Sequence, residues 1–237
     1  MIHVLIRGRN CREYIGRCIE SIDCQETVGK AYYVILDSPT DGSQFFGNYT
    51  FLGSPVTIHK KRMGLGYNIW FGMQMISKCA KPDDIVALVD ADDYLKPGAL
   101  ELIQTKYDKN PDVLVTHGSY IKLSKGRTTR VSKPYPKGVN VRKFKWRASH
   151  LKTFKFKLWQ HFPKEYLQDG KGNWAEAASD LGLMFGLIEL SGLDRVKFIG
   201  RPIYVWRDNY KDSTNPALQK KWDKIFRNKK PLERIDL

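Results

Sequence analysis

The sequence predicts an α/β fold built on a mostly parallel sheet, and three observations predict it. Short apolar runs alternate with longer segments of helical spacing through residues 1–117, a pattern that covers both faces of a parallel sheet with helices. Two of the runs end in carboxylates, Asp37 and Asp90, and ligands in such sheets bind at the carboxyl ends of the strands. With 237 residues, 42% hydrophobic and 27% charged, the chain can bury one sizeable core, which excludes a disordered polycation.

The elements follow in order. His3 to Ile6 reads as the first strand, with Arg7 and Arg9 directly after it. Asn10 stands where a helix N-cap would, ahead of Tyr14, Ile15, Cys18, Ile19 and Ile22 at helical spacing. Tyr32 to Leu36 is the second strand, ending at Asp37 and a turn-rich stretch from Ser38 to Ser43. Val56 to Ile58 is the third, followed by Lys60, Lys61, Arg62, Gly64 and Gly66, then by an amphipathic helix from about Tyr67 to Lys78. Ile85 to Val89 is the fourth and runs straight into Asp90-Ala91-Asp92-Asp93. A helix from Leu95 to Tyr107, with Pro97 in its first turn, leads to a fifth strand at Val113 to Thr116. Later in the chain Leu151, Phe154, Leu158 and Phe162 fall on one helical face, with Lys152, Lys155 and Lys164 off it.

Several function classes are excluded early. No apolar run reaches the roughly 18 residues that span a bilayer. The N-terminus lacks the features of a signal peptide. Cys11, Cys18, Cys24 and Cys79 show no metal-ligand spacing and read as free thiols in a reducing cytoplasm. A cytoplasmic protein is therefore expected.

Charge is divided unevenly. The net charge is +15, yet residues 1–117 carry 13 basic and 14 acidic residues. From Gly118 to Lys164 there are 14 basic residues and no acidic one. An ordinary amphipathic helix and basic loop packed on the sheet explains the apolar stripe of this stretch, but not its lack of acidic residues, because a solvated surface normally mixes both signs. An anionic partner is the other reading. The interleaved aromatic residues of the stretch suit nucleic acid or an anionic membrane surface touched peripherally.

Asp90-Ala91-Asp92-Asp93 concentrates three carboxylates at the end of an apolar strand. Such close carboxylates repel unless a cation or a proton intervenes, and a hard divalent ion, Mg²⁺ or Mn²⁺, favours carboxylate and phosphate oxygens. A plain helix cap at Asp93 is the competing account.

The order strand–Asn–helix, strand–Asp–turn–Asp–Gly–Ser, basic–Gly–helix and strand–Asp–Ala–Asp–Asp–x–Leu–x–Pro resembles family-2-type glycosyltransferases of the GT-A fold. The matching stretches are Ile2 to Ile22, Val34 to Ser43, Ile58 to Gly72 and Ile85 to Leu102. The resemblance implies a single GT-A domain in which residues 1–117 bind a nucleotide-sugar and 118–237 bind the acceptor. It implies that Asp37 contacts the nucleobase, that Asp41 belongs to the donor-site turn, and that Asp90 lies near the ribose. Asp92 becomes the metal ligand, with Asp90 beside it, and Arg62, with Lys60 and Lys61, is placed to touch phosphate. Uridine as the base, hence a UDP-sugar, follows family habit. Asp180 aligns with the general base of an inverting transfer, with Glu176 as the fallback, although Ser179 replaces the frequent Glu. A near-terminal His that completes the metal shell in relatives is Asn209 here, which leaves the third ligand open between Asn209, Asp208 and water. Ser38-Pro39 replaces the more frequent Gly-Ser.

The acceptor side is assigned to Trp146, Arg147, His150, Lys152, Lys155 and Trp174. His117 and His161 are weaker candidates, since a lone His is more often structural. An anionic acceptor can be an envelope or lipid-linked glycan, or a hydroxymethylated DNA base reached by flipping. Two rivals stand beside this reading. One is a non-catalytic nucleic-acid-binding module on a degenerate GT-A scaffold. The other is a nucleotidyltransferase, whose Gly-rich loop Arg7-Gly8-Arg9 matches only weakly.

Overall fold

The computed structural model describes residues 1–26, 29–48, 50–51, 54–128, 132–208 and 215–237. Strand β1 (Ile2–Gly8) is buried from Ile2 to Arg7. It pairs in parallel with β2 (Lys30–Asp37) on one side and, further along the chain, with Ile85–Asp90 on the other. Between β1 and β2 runs α1 (Ile15–Asp23), burying Ile15, Cys18, Ile19 and Ile22 as the spacing predicts. Asn10 does not cap it. The helix starts five residues later, and Asn10, at φ 52°, accepts the Thr40 N–H at 2.7 Å instead. Asn tolerates this left-handed backbone, and its side chain ties two loops together.

After β2 come the short β3 (Thr50–Phe51) and β4 (Ser54–His59), then α2 (Leu65–Ile76) and β5 (Ile85–Asp90). Next are β6 (Tyr94–Leu95) and α3 (Ala99–Asp108). Pro97 therefore precedes α3, because residues 94–95 are drawn into the sheet by antiparallel pairing with the last strand. The chain continues through β7 (Val115–Lys122), β8 (Arg127–Thr128), β9 (Ser149–Lys155), α4 (Phe156–Trp159), α5 (Ser179–Ser191), β10 (Val196–Trp206) and α6 (Pro216–Asn228).

Among the described residues the strand order is β3-β4-β2-β1-β5-β9-β7-β10-β6, with β8 added to β7. β4, β2, β1, β5, β7 and β10 share one direction, and β9 runs against its two neighbours. This is the α/β, GT-A type sheet flanked by helices. The helical face expected over 151–162 is corrected: 149–155 is a central strand and only 156–159 turn as α4. Leu151, Thr153 and Phe154 are fully buried, and a strand covered on both faces shows no alternation to read. The expected spacing arose because strand and turn join at Phe156.

Two apolar layers enclose the sheet. Leu5, Ile35, Leu88 and Phe154 pack beneath α2, α5 and α6, while Val4, Ile6, Val34 and Val89 pack beneath α1 and α3. Helix α5 is buried nearly all round. Its outer side is closed by α6, whose Phe226 ring would lie 2.6 Å from a Cβ added at Gly182. Among the described residues no helix is long and apolar enough to cross a membrane.

Candidate active site

A cavity of about 630 Å³ opens at the carboxyl ends of β1, β2 and β5. The three strands deliver Arg7, Asp37 and Asp90 to its wall, and the loops beyond them add Arg9, Arg62 and Asp92. From the second half come Glu176, Trp206, Arg207, Asp208, and Asn215 and Leu218 at the start of α6.

Arg7 is the residue that sequence reasoning missed. It is 6% exposed and donates from Nη2 to Asp90 Oδ1 at 2.7 Å. It stands opposite Asp90 in the register of β1 and β5. The Tyr204 hydroxyl accepts the Asp90 N–H at 3.1 Å and donates to Asp93 Oδ2 at 2.6 Å. Asp93, 2% exposed, also accepts the Arg207 N–H at 2.7 Å, while Arg207 Nε donates to the main-chain oxygen of Asp92 at 3.0 Å. The end of β10 is thereby tied to the acidic turn. Burial first, then Asp92 and Asp90, push the Asp93 carboxyl well up. Asp93 is thus an internal clamp rather than a helix cap.

Asp92 differs from its neighbours. Among the described residues its carboxylate accepts no hydrogen bond from another residue. Burial, then the charge of Asp90, push it up to about 7, with Arg207 pulling the other way. A half-buried carboxylate with raised proton affinity and no partner fits a hard cation. Asp90 already has one oxygen on Arg7, and Asn209 lies outside the described residues. Among the described residues no group of three His, Cys, Asp or Glu gathers as a full ligand set. Asp208 lines the cavity, but its carboxylate accepts from the Ser124 N–H at 3.1 Å and hydroxyl at 2.5 Å.

Asp37 is 3% exposed and uses both oxygens on the following loop, accepting from the Met63 N–H at 2.8 Å and the Gly64 N–H at 3.1 Å. That grip sets Arg62, Gly64 and Leu65 in the wall. Gly64, at φ 91°, packs so closely on the 174–176 loop that an added Cβ would lie 3.0 Å from the Ala175 carbonyl oxygen. Gly66 N–H then donates to that oxygen at 2.8 Å, which fixes Glu176 at the cavity. Asp41 does not line the cavity. It accepts from the Arg12 N–H and from the Ser43 N–H and hydroxyl, closing its own turn. Ser38 adopts φ 51° at the start of that turn. Lys60 and Lys61 are exposed and outside the wall.

Asp180, in the first turn of α5, lies outside the lining and is a third exposed. Its Oδ2 is 2.9 Å from Nζ of Lys152. Burial alone would raise its carboxyl, but Lys152, then His150 and Arg7, hold it well below the usual range. His150 stacks on Tyr204 with centroids 4.4 Å apart, and burial, then Lys152, push it down to about 3.

Of the expected acceptor set, His150 and Lys152 are brought together, with Lys152 Nζ 3.3 Å from His150 Nδ1, and the others are dispersed. Trp146 packs edge-on against Phe185 at 5.5 Å. Arg147 is bound to the Pro134 carbonyl and lies over the Phe144 ring. Lys155 lies at the amino end of β5, opposite the cavity, donating to the Asp83 carbonyl at 2.7 Å. Lys152 is 1% exposed and faces Asp180, so it is no surface contact. Trp174 joins Tyr67 and Trp70 in an aromatic cluster. His161 is exposed, and His117 is buried against Ser132. The four cysteines are free thiols, and Cys11 reaches the cavity wall.

Residues 4–167 match the family model described as glycosyl transferase family 2. No curated protein matches the chain. Among solved structures, the fold is similar to that of S. aureus TarS, at 18% identity and TM-score 0.63, over 87% of this chain and 36% of that one. It is also similar to S. aureus TarS 1-349 in complex with UDP-GlcNAc, at 17% identity and TM-score 0.63, over 89% and 59%. A third is the complex of TarS 1-349 with UDP, at 16% identity and TM-score 0.62, over 87% and 60%. The chain thus spans between about a third and three fifths of the length of these structures.

Proposed function

Because the chain belongs to glycosyl transferase family 2, we propose that it moves a hexose from a nucleotide diphosphate sugar to a hydroxyl of an anionic acceptor. The observation that carries this reading is the single cavity holding Arg7, Arg9, Arg62 and Arg207 beside Asp37, Asp90 and Asp92. Arginines recognise diphosphate oxygens by charge-assisted hydrogen bonds, and strand-end carboxylates can accept from ribose and base. UDP as the nucleotide is supported by the UDP and UDP-GlcNAc complexes of similar structures.

Asp92, with Asp90 beside it, would hold Mn²⁺ or Mg²⁺. Bound there, the ion supplies Lewis-acid stabilisation of the departing diphosphate. Asp180 takes the acceptor hydroxyl's proton as that oxygen attacks the anomeric carbon, giving inversion. A second assignment of the base, Glu176, is favoured by its place in the cavity wall. Asp180→Asn and Glu176→Gln separate the two: the base variant keeps UDP affinity and loses transfer.

The acceptor meets the basic half, where Lys125, Lys133, Lys137, Lys143 and Lys145, and Lys220, Lys221 and Lys224 of α6, are exposed. Envelope or lipid-linked glycan and hydroxymethylated DNA both supply the anionic charge. A transfer screen of nucleotide-sugars against both acceptor classes tests the function. Calorimetric titration with UDP and Mn²⁺ that gives no heat would instead favour a nucleic-acid-binding module.

A further inference from the structure

Lys152 occupies the middle of β9, in register with Leu88 of β5, and is among the largest fully buried side chains. An ammonium in the centre of a sheet is costly unless it is paired and hydrogen-bonded. Its Nζ lies 2.9 Å from Asp180 Oδ2, 3.3 Å from His150 Nδ1 and 3.4 Å from His150 Nε2. Asp180 stands at the edge of this arrangement, with 32% of its side chain exposed against 2% for Lys152. One carboxylate oxygen is therefore held from inside while the group remains open to an incoming molecule.

We propose that Lys152 is the positioning residue for Asp180, gripping Oδ2 so that Oδ1 is presented to the acceptor hydroxyl. The inference rests on Asp180 being the base. In the step it serves, the acceptor O–H proton passes to Asp180 Oδ1 as the acceptor oxygen bonds to the anomeric carbon. The bond from that carbon to the diphosphate oxygen breaks, and its electron pair leaves with the nucleoside diphosphate. Among the described residues, the charged and titratable groups whose fields act on Asp180 are Lys152, in direct contact, and His150 from β9 and Arg7 from β1, and Arg7 is itself paired with Asp90 of β5. His150 is neutral at physiological pH, so Lys152 and Arg7 supply the positive charge. Lys152 is the cation in direct contact, and it keeps Asp180 ionised throughout the working pH range.

The test compares the wild-type chain with Lys152→Met, Lys152→Arg and Asp180→Asn. UDP affinity, read by calorimetry with Mn²⁺, should stay within twofold for all three. Transfer kcat should fall at least tenfold in Lys152→Met and recover in part in Lys152→Arg, with donor KM little changed. The acid limb of kcat/KM should move to higher pH in Lys152→Met, a shift that loosened packing alone does not produce. Unchanged kcat and acid limb in Lys152→Met overturn the proposal. Carboxyl ¹³C titration of the wild-type chain, with the Asp180 signal assigned by Asp180→Asn, does not depend on the variants folding or on transfer. An Asp180 carboxyl that titrates in the ordinary range overturns the ion pair. Full transfer by Asp180→Asn instead removes the base assignment while leaving the titration result intact.

Discussion

The hydroxyl of Tyr204 donates to Asp93 Oδ2 at 2.6 Å, deep beneath the acidic turn that carries Asp92. The Tyr204 hydroxyl oxygen in turn accepts the Asp90 N–H, so one phenol from β10 fixes both ends of the turn. Tyr204→Phe leaves a buried carboxyl short of one donor, at a cost of about 1–3 kcal/mol. Denaturant unfolding should show that loss, and UDP affinity in Mn²⁺ should weaken with it. An unaltered UDP affinity would mean that the turn holds its shape without the phenol.

Among the described residues, Asp92 is the carboxylate of the turn with no hydrogen-bond partner from another residue. Chelation should weaken UDP binding by the wild-type chain at least tenfold. Asp92→Ala should bind UDP weakly, with or without Mn²⁺. Full transfer activity in EDTA would remove the metal from the proposed mechanism.

His117 gives a pH signature. It is 1% exposed, and burial pushes it down from 6.5 to about 4. Between those values the unfolded chain binds a proton that the native protein refuses, so this site weakens folding as pH falls from 6.5 towards 4. Above 6.5 the imidazole is neutral in both states and the effect vanishes. The stability of wild type relative to His117→Gln should therefore fall through that window, by at most ~1.4 kcal/mol per pH unit. A pH-independent difference would show that His117 is charged in the native state.

Gly64 combines φ 91° with close packing on the Ala175 carbonyl. Gly64→Ala should cost ~1–3 kcal/mol from backbone strain alone. By displacing the 174–176 loop it should also lower donor affinity. Calorimetry and thermal unfolding read the two effects separately, and wild-type values in both would show that the loop yields freely.

Acceptor binding should weaken steeply between low and moderate salt if the exposed lysines of the second half meet phosphates. A flat response would return the basic stretch to solubility.

The first half was largely legible because its strands are short, apolar and end in acids, and because α1 buries one clean stripe. Asp90 and Asp92 were found by their density at a strand end, and Arg62 by its place ahead of Gly64. The second half was legible in charge but not in placement. Lys152 and Lys155 look alike in the sequence, yet three strand steps face one towards Asp180 and put the other at the far end of β5. Arg7 was overlooked because a lone arginine after a strand gives no sign of the register that sets it against Asp90. Asp41 was read as a donor contact, but a carboxylate in a turn is readily consumed by nearby N–H groups, here those of Arg12 and Ser43.

The insertion of β9 between β5 and β7 has a consequence for assembly. β5 ends at residue 90 and its inner neighbour begins at residue 149, so the middle of the sheet closes only across a long intervening segment. Loop closure of that length must precede any gain from the pairing. A ribosome-bound or truncated chain that stops near residue 117 therefore presents β5 as a bare apolar edge, open to pairing with other chains. The neutral half and the basic half are not exchangeable modules: expressed alone, the first should aggregate, and the second would lack the strand on which β9 is laid.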